Sequence, residues 1–175
     1  FDREKVLKSL VNTNTPLIFD VGAATGQSLS QFKKWWPNSE VHCFEPQREF
    51  YNKLKNLSYD KVVYNNFALG DKSLLKEKFY THKVQPMLGG FDKLNVSSKD
   101  SIAINKPTLV DMKDGEYLDN INDITEVEVR KIENYMLGWD RKVDILKMDT
   151  QGWESKVLKG AGDTLSRFKI VLAEL

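Results

Sequence analysis

The sequence predicts an α/β fold in which a mostly parallel, doubly wound sheet carries helices on both faces. Three observations support this prediction. Leu17, Ile18, Phe19 and Val21 form a short apolar run, and a second apolar segment covers 41–44, as in strands buried on both sides. A turn of small residues and then a helical spacing of apolar residues follow the first run. The alternation of buried strand and helix returns near the end, within residues 142–175.

The first strand, the helix after it and the second strand form a βαβ unit. Residues 17–21 read LIFDV and predict the first strand. After the small-residue turn, apolar residues recur at intervals of three and four, which predicts one buried face of a helix. The residues on that face are Leu29, Phe32 and Trp36. Pro37 ends the helix, and the second strand follows at 41–44.

Patterning also places the remaining elements. Further helices are predicted at residues 2–11, at 47–57 and in a segment through Glu154, Val157 and Leu158. Further strands are predicted at residues 61–64, 75–82, 125–132, 142–149 and 168–175. The second and third of these alternate polar and apolar residues, which is typical of strands at a sheet edge. The last two are apolar and predict buried strands.

A long insertion follows the third strand. Residues 71–141 interrupt the simple alternation of strand and helix inside what we expect to be a single domain of residues 1–175. Residues 84–100 are polar and include the pair Gly89 and Gly90. A segment of this length in a small domain is typical of a lid or substrate loop, and the alternative is a surface excursion without a role.

The turn after the first strand indicates the type of ligand. A dinucleotide fingerprint requires glycine two and five positions after Gly22, but the chain has Ala24 and Gln27 there. No Gly-Lys-Ser/Thr ending of a phosphate loop is present. Asp20, Gly22 and Gly26 instead fit Asp-x-Gly-x-x-x-Gly, which resembles the first motif of class I S-adenosylmethionine methyltransferases. The alternative is an ordinary tight turn in any α/β protein.

The chemistry of that cofactor suits the residues around the turn. Its amino-acid end carries an ammonium, which Asp20 can face, and a carboxylate, which the amides near Gly22 and Ala23 can bind. Glu45 ends the second strand roughly 20 residues further on, where an acid can bind two ribose hydroxyls. NAD contains the same ribose, so Glu45 supports a nucleoside ligand without choosing between the two. A solvated acid at a strand end is the alternative.

Composition restricts the class of protein. The chain has 26 basic and 25 acidic residues, so its near balance argues against a large nucleic-acid surface, and we expect no nucleic-acid partner. Its one cysteine, Cys43, lies in an apolar strand and is expected to be buried. No apolar run reaches the roughly 18 residues of a spanning helix. We therefore expect no membrane segment and a cytoplasmic location.

Five sequence blocks together resemble the FkbM-type S-adenosylmethionine-dependent methyltransferases. They are FDVGAATG, CFEP, FALGD, DILKMDTQGWESKVLKGA and VLAEL, and they span residues 19–175. The most specific block, LKMDTQGWE, is similar to the family's Leu-Lys-Ile-Asp-x-Glu-Gly-x-Glu. The chain has Gln151 where the family often has Glu, which puts in doubt any role that needs a carboxylate there.

The resemblance implies a Rossmann-like class I methyltransferase fold and methyl transfer from S-adenosyl-L-methionine to a hydroxyl. The acceptor it implies is a small molecule or glycan, such as a sugar or another secondary metabolite. It also implies that amides near Ala68 and Leu69 border the adenine and that Asp149 lies near the sulfonium. Whether a metal takes part stays open.

Three residues are candidates for the base that accepts the hydroxyl proton. Asp149 ends a central strand at the cofactor edge, whereas Glu154 opens a helix and could merely complement its dipole. His82 lies near the inserted segment, where a surface histidine is the alternative. Lys147 lies on the same strand face as Asp149 and needs a buried partner, for which Asp149 and Glu174 are candidates.

Methyltransferases of this class usually continue past the fifth strand, but the sequence stops at Leu175. We therefore expect either a fragment or a homodimer that covers the exposed sheet edge. Two other functions stay open at this stage. One is a nicotinamide-dependent oxidoreductase, which the glycine spacing disfavours, and the other is a non-catalytic binding module with the same fold. A base-modifying methyltransferase is disfavoured because Asp149 is not followed by Pro-Pro.

Overall fold

The computed structural model describes residues 2–82, 89–92 and 122–173. Its helices are α1 (Arg3–Val11), α2 (Gln27–Trp35), α3 (Arg48–Lys55), α4 (Ile132–Tyr135) and α5 (Glu154–Ala161), and a 3₁₀ helix covers Gly162–Arg167. Its strands are β1 (Leu17–Val21), β2 (Glu40–Phe44), β3 (Val62–Asn65), β4 (Ala68–Leu69), β5 (Leu74–His82), β6 (Asn122–Arg130), β7 (Val143–Met148) and β8 (Phe168–Ala173). The predicted alternation of strands and helices is confirmed.

The main sheet has five strands in the order β3–β2–β1–β7–β8, and all four of its strand pairs are parallel. The strand order reverses at β1, because β2 lies on one side of it and β7 on the other. The predicted Rossmann-like, doubly wound fold is therefore confirmed. In sheets of this kind, ligands bind in the crevice at the carboxyl ends of the strands on either side of the reversal.

The central strands β2, β1 and β7 are buried on both faces of the sheet. Every residue of β1 is buried, and its side chains alternate between two apolar clusters. Phe19 belongs to the cluster that includes Val157 of α5, and Ile18 belongs to the cluster that includes Leu29 of α2. A helix layer on each face explains why the central strands are apolar throughout.

The beginning of α2 depends on Gly26. Its φ of +95° is unfavourable for a residue with a side chain, and a Cβ there would lie 2.4 Å from a methyl carbon of Leu57. The helix ends at Trp35 and is capped by Trp36, just before Pro37, the residue predicted to end it. Gly26 therefore fixes how closely the turn after β1 packs on the chain that follows α3.

A second, three-stranded sheet has the order β4–β6–β5. The two strands predicted within the insertion are confirmed as β5 and β6. The edge position predicted for both is wrong for β6, because β6 lies between β4 and β5. The two-residue strand β4 was missed by the sequence analysis, and it pairs in parallel with Val129 and Arg130 of β6. Two residues carry too little periodicity to be recognised as a strand.

The chain forms two compact units, Phe1–Glu77 with Val127–Leu175, and Lys78–Glu126. The second unit covers fewer residues than the predicted insertion of residues 71–141. Within it, Gly90 forms an antiparallel bridge with Tyr80, and the ring of Phe91 packs edge-on against Phe79. Most of the predicted lid, residues 84–100, lies outside the described residues, so its role stays a prediction.

The expectation that residues 168–175 form a fully buried strand is wrong for the part that the structure describes. In β8 only Phe168 is buried, and Val171 is 42% exposed. β8 is the outermost strand of the five-stranded sheet and has a neighbour on one side only, so its apolar residues are less covered than those of β7. Cys43, by contrast, is buried as predicted.

Candidate active site

Backbone hydrogen bonds bind three strand ends together at the point where the strand order reverses. The amides of Gly22 and Ala23 donate to the Phe44 carbonyl, and the Asp149 amide donates to the Val21 carbonyl. Gly22 has a φ of +73°, and a Cβ there would lie 2.0 Å from the Asp149 carbonyl oxygen. Only glycine allows β1 and β7 to end this close together.

The same hydrogen bonds change the expected role of two amides. We expected the Gly22 and Ala23 amides to bind a cofactor carboxylate, but in the structure both donate to the Phe44 carbonyl. The Ala24 amide donates to Glu45 Oε2 at 2.9 Å, and the Gly26 amide donates to the Ala23 carbonyl. A cofactor role of these residues therefore rests on the shape of the turn rather than on these donors.

Asp20 is completely buried at the end of β1. Its Oδ2 accepts a hydrogen bond of 2.6 Å from Ser28 Oγ in the first turn of α2. Its Oδ1 lies 3.1 Å from Lys147 Nζ, an ion-pair contact whose angles are not those of a hydrogen bond. In this arrangement Asp20 supports the turn from beneath rather than presenting a carboxylate to a ligand.

Glu45 lies beside the turn, as the sequence analysis expected, and is 3% exposed. Its Oε2 accepts from the Ala24 amide and its Oε1 accepts from the Gln47 amide at 2.8 Å. Burial raises the pKa of this carboxyl to about 7, against the lowering effect of those two amides. Each oxygen has a second lone pair that can accept from a ligand hydroxyl.

Asp149 and Lys147 meet at the end of β7. Lys147 Nζ donates to the Gly22 carbonyl at 3.2 Å and lies 3.9 Å from Asp149 Oδ2. The Lys147 side chain is 10% exposed, whereas that of Asp149 is 31% exposed. Gln151 Nε2 donates to Asp149 Oδ1 at 2.8 Å. Asp149 is therefore the acid that this edge of the sheet presents towards solvent.

The nearest partner of Lys147 was missed by the sequence analysis. Asp149 is confirmed as one partner, but Asp20 lies closer, and Glu174 lies outside the described residues. Asp20 is the register partner of Lys147 in the parallel pairing of β1 with β7. Both residues stand out in the sequence as charged positions within apolar strands. Their pairing can be inferred only when the strand order is known.

Glu154 is buried in the first turn of α5. Its Oε1 accepts from the Thr150 amide at 2.7 Å and from Thr150 Oγ1 at 2.9 Å. These bonds tie the turn after β7 to the helix, as a capping side chain does. The geometry therefore favours the structural alternative for Glu154 over a role as base.

The remaining predicted site residues belong to strands of the three-stranded sheet. Ala68 and Leu69 are buried in β4, and Leu69 packs in the apolar cluster on the α5 face of the sheet. His82 ends β5 in the second compact unit, and its side chain lies outside the described part of the structure. Within the first compact unit, the structure brings together Asp20, Gly22, Ala23, Gly26, Glu45 and Asp149.

The described part of the chain contains neither a cluster of metal ligands nor a membrane-spanning helix. Within residues 2–82, 89–92 and 122–173, no group of three or more histidine, cysteine, aspartate or glutamate side chains could hold a metal ion. The helices in these ranges are all too short or too polar to cross a membrane.

The five-stranded parallel sheet, with a glycine turn after β1 and a buried acid after β2, defines a Rossmann-like α/β protein of the kind that methyltransferases use. The family model described as "Methyltransferase FkbM domain" matches residues 20–175. The chain belongs to this methyltransferase family, and the resemblance seen in the sequence is confirmed.

One curated relative gives a more specific comparison. The chain is 25% identical over 170 residues to a protein of Sinorhizobium fredii (strain NBRC 101917 / NGR234) named 2-O-methyltransferase NoeI. The match covers 95% of this chain and 65% of the relative, so the chain spans just under two thirds of that protein's length.

Proposed function

We propose that the chain transfers a methyl group from S-adenosyl-L-methionine to a hydroxyl of a small-molecule or glycan acceptor. The observation that carries this proposal is the turn from Asp20 to Gly26 at the reversal of strand order, with Glu45 beside it. Membership of the FkbM methyltransferase family supports methyl transfer in general. The name of the relative, a 2-O-methyltransferase, favours oxygen as the receiving atom.

The residues present fit such a cofactor. Gly22 lets the ends of β1 and β7 lie close together, because a Cβ there would be 2.0 Å from the Asp149 carbonyl oxygen. In doubly wound sheets, ligands bind at the carboxyl ends of the strands where the strand order reverses. Glu45 would hold the ribose hydroxyls through lone pairs that its backbone bonds leave over. Ala68 and Leu69 stay proposed neighbours of the adenine through their backbone, since their side chains are buried.

Bound S-adenosyl-L-methionine supplies a methyl group on a positively charged sulfur, which is a good leaving group. The protein must then orient the acceptor oxygen, exclude water and receive the hydroxyl proton. Asp149 is the residue we assign to the last task, because its carboxylate is partly exposed at the right edge of the sheet. Glu154 holds the Thr150 turn in place, and Lys147 holds the acid.

Thermal denaturation with the demethylated cofactor tests the proposal. A ligand at 100 times its dissociation constant stabilises a protein by about 2.7 kcal/mol, which for a chain of this size raises the melting temperature by roughly 5–10 °C. We expect such a rise with S-adenosylhomocysteine and none with NAD. A rise with NAD alone would favour an oxidoreductase, and binding without methyl transfer to any hydroxyl would favour a non-catalytic module.

A further inference from the structure

The two oxygens of the Asp149 carboxylate are held by different groups from opposite sides. Gln151 Nε2 donates to Oδ1 at 2.8 Å, and the Lys147 ammonium lies 3.9 Å from Oδ2. One contact is a hydrogen bond from a neutral amide at the exposed side, and the other is an ion-pair contact with a largely buried ammonium. The carboxylate is thereby restricted in both position and rotation.

The buried side of this arrangement is firmly anchored. Lys147 Nζ also contacts the Asp20 carboxylate at 3.1 Å and the Gly22 carbonyl at 3.2 Å. Asp20 in turn accepts from Ser28 in α2. A continuous series of polar contacts therefore runs from helix α2 across the ends of β1 and β7 to Asp149.

The exposed side depends on the backbone of Gln151. Its φ is +54°, a left-handed conformation that is unfavourable for a residue with a Cβ. The side chain of this exposed residue is directed back onto Asp149 rather than into solvent. Gly152 follows with a φ of +94°, so two successive residues of this turn have left-handed backbone conformations.

We propose that Gln151 is a positioning residue which, together with Lys147, holds the Asp149 carboxylate oriented towards the acceptor hydroxyl. This inference rests on the proposed function, since it assigns Asp149 to that hydroxyl. An amide suits the task because it donates a hydrogen bond without adding a negative charge. A second carboxylate at this position would share a proton with Asp149 and leave it protonated at higher pH.

The surrounding charges agree with this role. Lys147 is the cation nearest to Asp149 among the described residues, and it already faces Asp20. Glu154 is directed at Thr150 and Glu45 at the turn after β1, so both carboxyls are engaged elsewhere. Replacing the amide of Gln151 by a carboxylate would therefore add negative charge next to Asp149 without a matching cation.

Isosteric replacement tests the proposal directly, and the site is exposed, so the variants should fold. The probe is the carboxyl carbon of Asp149, followed by NMR as pH is varied in Gln151→Glu and in the wild-type protein. We expect the midpoint of its titration to rise by about one pH unit or more. The control is Gln31→Glu, the same change at an exposed position of α2, which should leave that midpoint where it was. An unchanged midpoint in Gln151→Glu would overturn the proposal.

Kinetics supply the second part of the test. Gln151→Met removes the hydrogen bond without adding charge and should lower kcat about tenfold while leaving the KM for S-adenosyl-L-methionine within about twofold. Gln151→Glu should move the acid limb of the pH–rate profile upwards by the same amount as the NMR midpoint. Equal kcat values in the wild type and in Gln151→Met would contradict the positioning role. If the wild-type protein transfers no methyl group but the titration midpoint still rises in Gln151→Glu, the proposed function is refuted. The contact between Gln151 and Asp149 would then still be supported.

Discussion

Replacing Lys147 by methionine should destabilise the protein strongly. Asp20 is completely buried, and the Lys147 side chain is only 10% exposed, so solvent does little to screen this pair. Methionine preserves most of the side-chain volume but leaves the Asp20 charge with Ser28 as its remaining partner. Breaking a buried ion pair in this way costs about 3–5 kcal/mol, and we expect the free energy of unfolding to fall by that amount.

Urea denaturation followed by circular dichroism measures the loss. The double variant Lys147→Met/Asp20→Asn removes both charges and should recover most of it, because no buried charge is then left unpaired. Lys53→Met is a matched control, since Lys53 pairs with Glu49 on the surface of α3 and its loss should cost less than about 0.5 kcal/mol. A loss below about 1 kcal/mol in Lys147→Met would refute the reasoning that places this lysine at the centre of the series of polar contacts.

Two further predictions concern the acids of the site. Asp149→Asn should lower turnover by roughly two to four orders of magnitude. The melting temperature should change little, because the side chain is partly exposed. Full activity in the folded variant would show that Asp149 is not the base. Burial raises the pKa of Glu45 from 4.5 to about 7, so the stability linked to this carboxyl is complete below pH 4.5 and is lost as pH rises towards 7. The loss should amount to about 3 kcal/mol and be absent in Glu45→Gln, as denaturation at pH 5 and pH 8 would reveal.

Much of the fold could be predicted from patterning because the central strands are buried on both faces. A strand buried on both faces requires a short run of apolar residues, and such runs are easy to recognise. The helices between the strands are recognised by their apolar spacing of three and four residues. The outermost strand β8 shows where this reasoning ends. Its apolar letters are the same as those of a central strand, but burial depends on how many neighbours the strand has in the sheet.

The candidate site was predicted in position but not in its hydrogen bonding. Asp20, Gly22 and Glu45 lie together as expected, since the glycine pattern and the parallel strands require it. The sequence could not indicate that the Gly22 amide is taken by Phe44, because that bond depends on how β1 and β2 end beside each other. The Asp20–Lys147 contact likewise depends on the register of two strands far apart in the chain.

The role of Gln151 illustrates the same limit. In the sequence it was only a departure from the pattern of the resembling family, and it weakened the case for a carboxylate there. In the structure its side chain donates to the acid that the sequence did identify, Asp149. The distance between these two side chains follows from the left-handed turn at Gln151, which one-dimensional patterning does not contain.

The central claim is that this chain moves a methyl group from S-adenosyl-L-methionine to an oxygen atom. The most direct measurement is incubation with cofactor labelled in its methyl group and a panel of soluble glycans, followed by mass spectrometry of the products. We expect a labelled methyl ether on a hydroxyl of at least one acceptor, formed together with S-adenosylhomocysteine and lost in Asp149→Asn. Labelled methyl found on nitrogen, or product formed equally well by the Asp149→Asn variant, would contradict it.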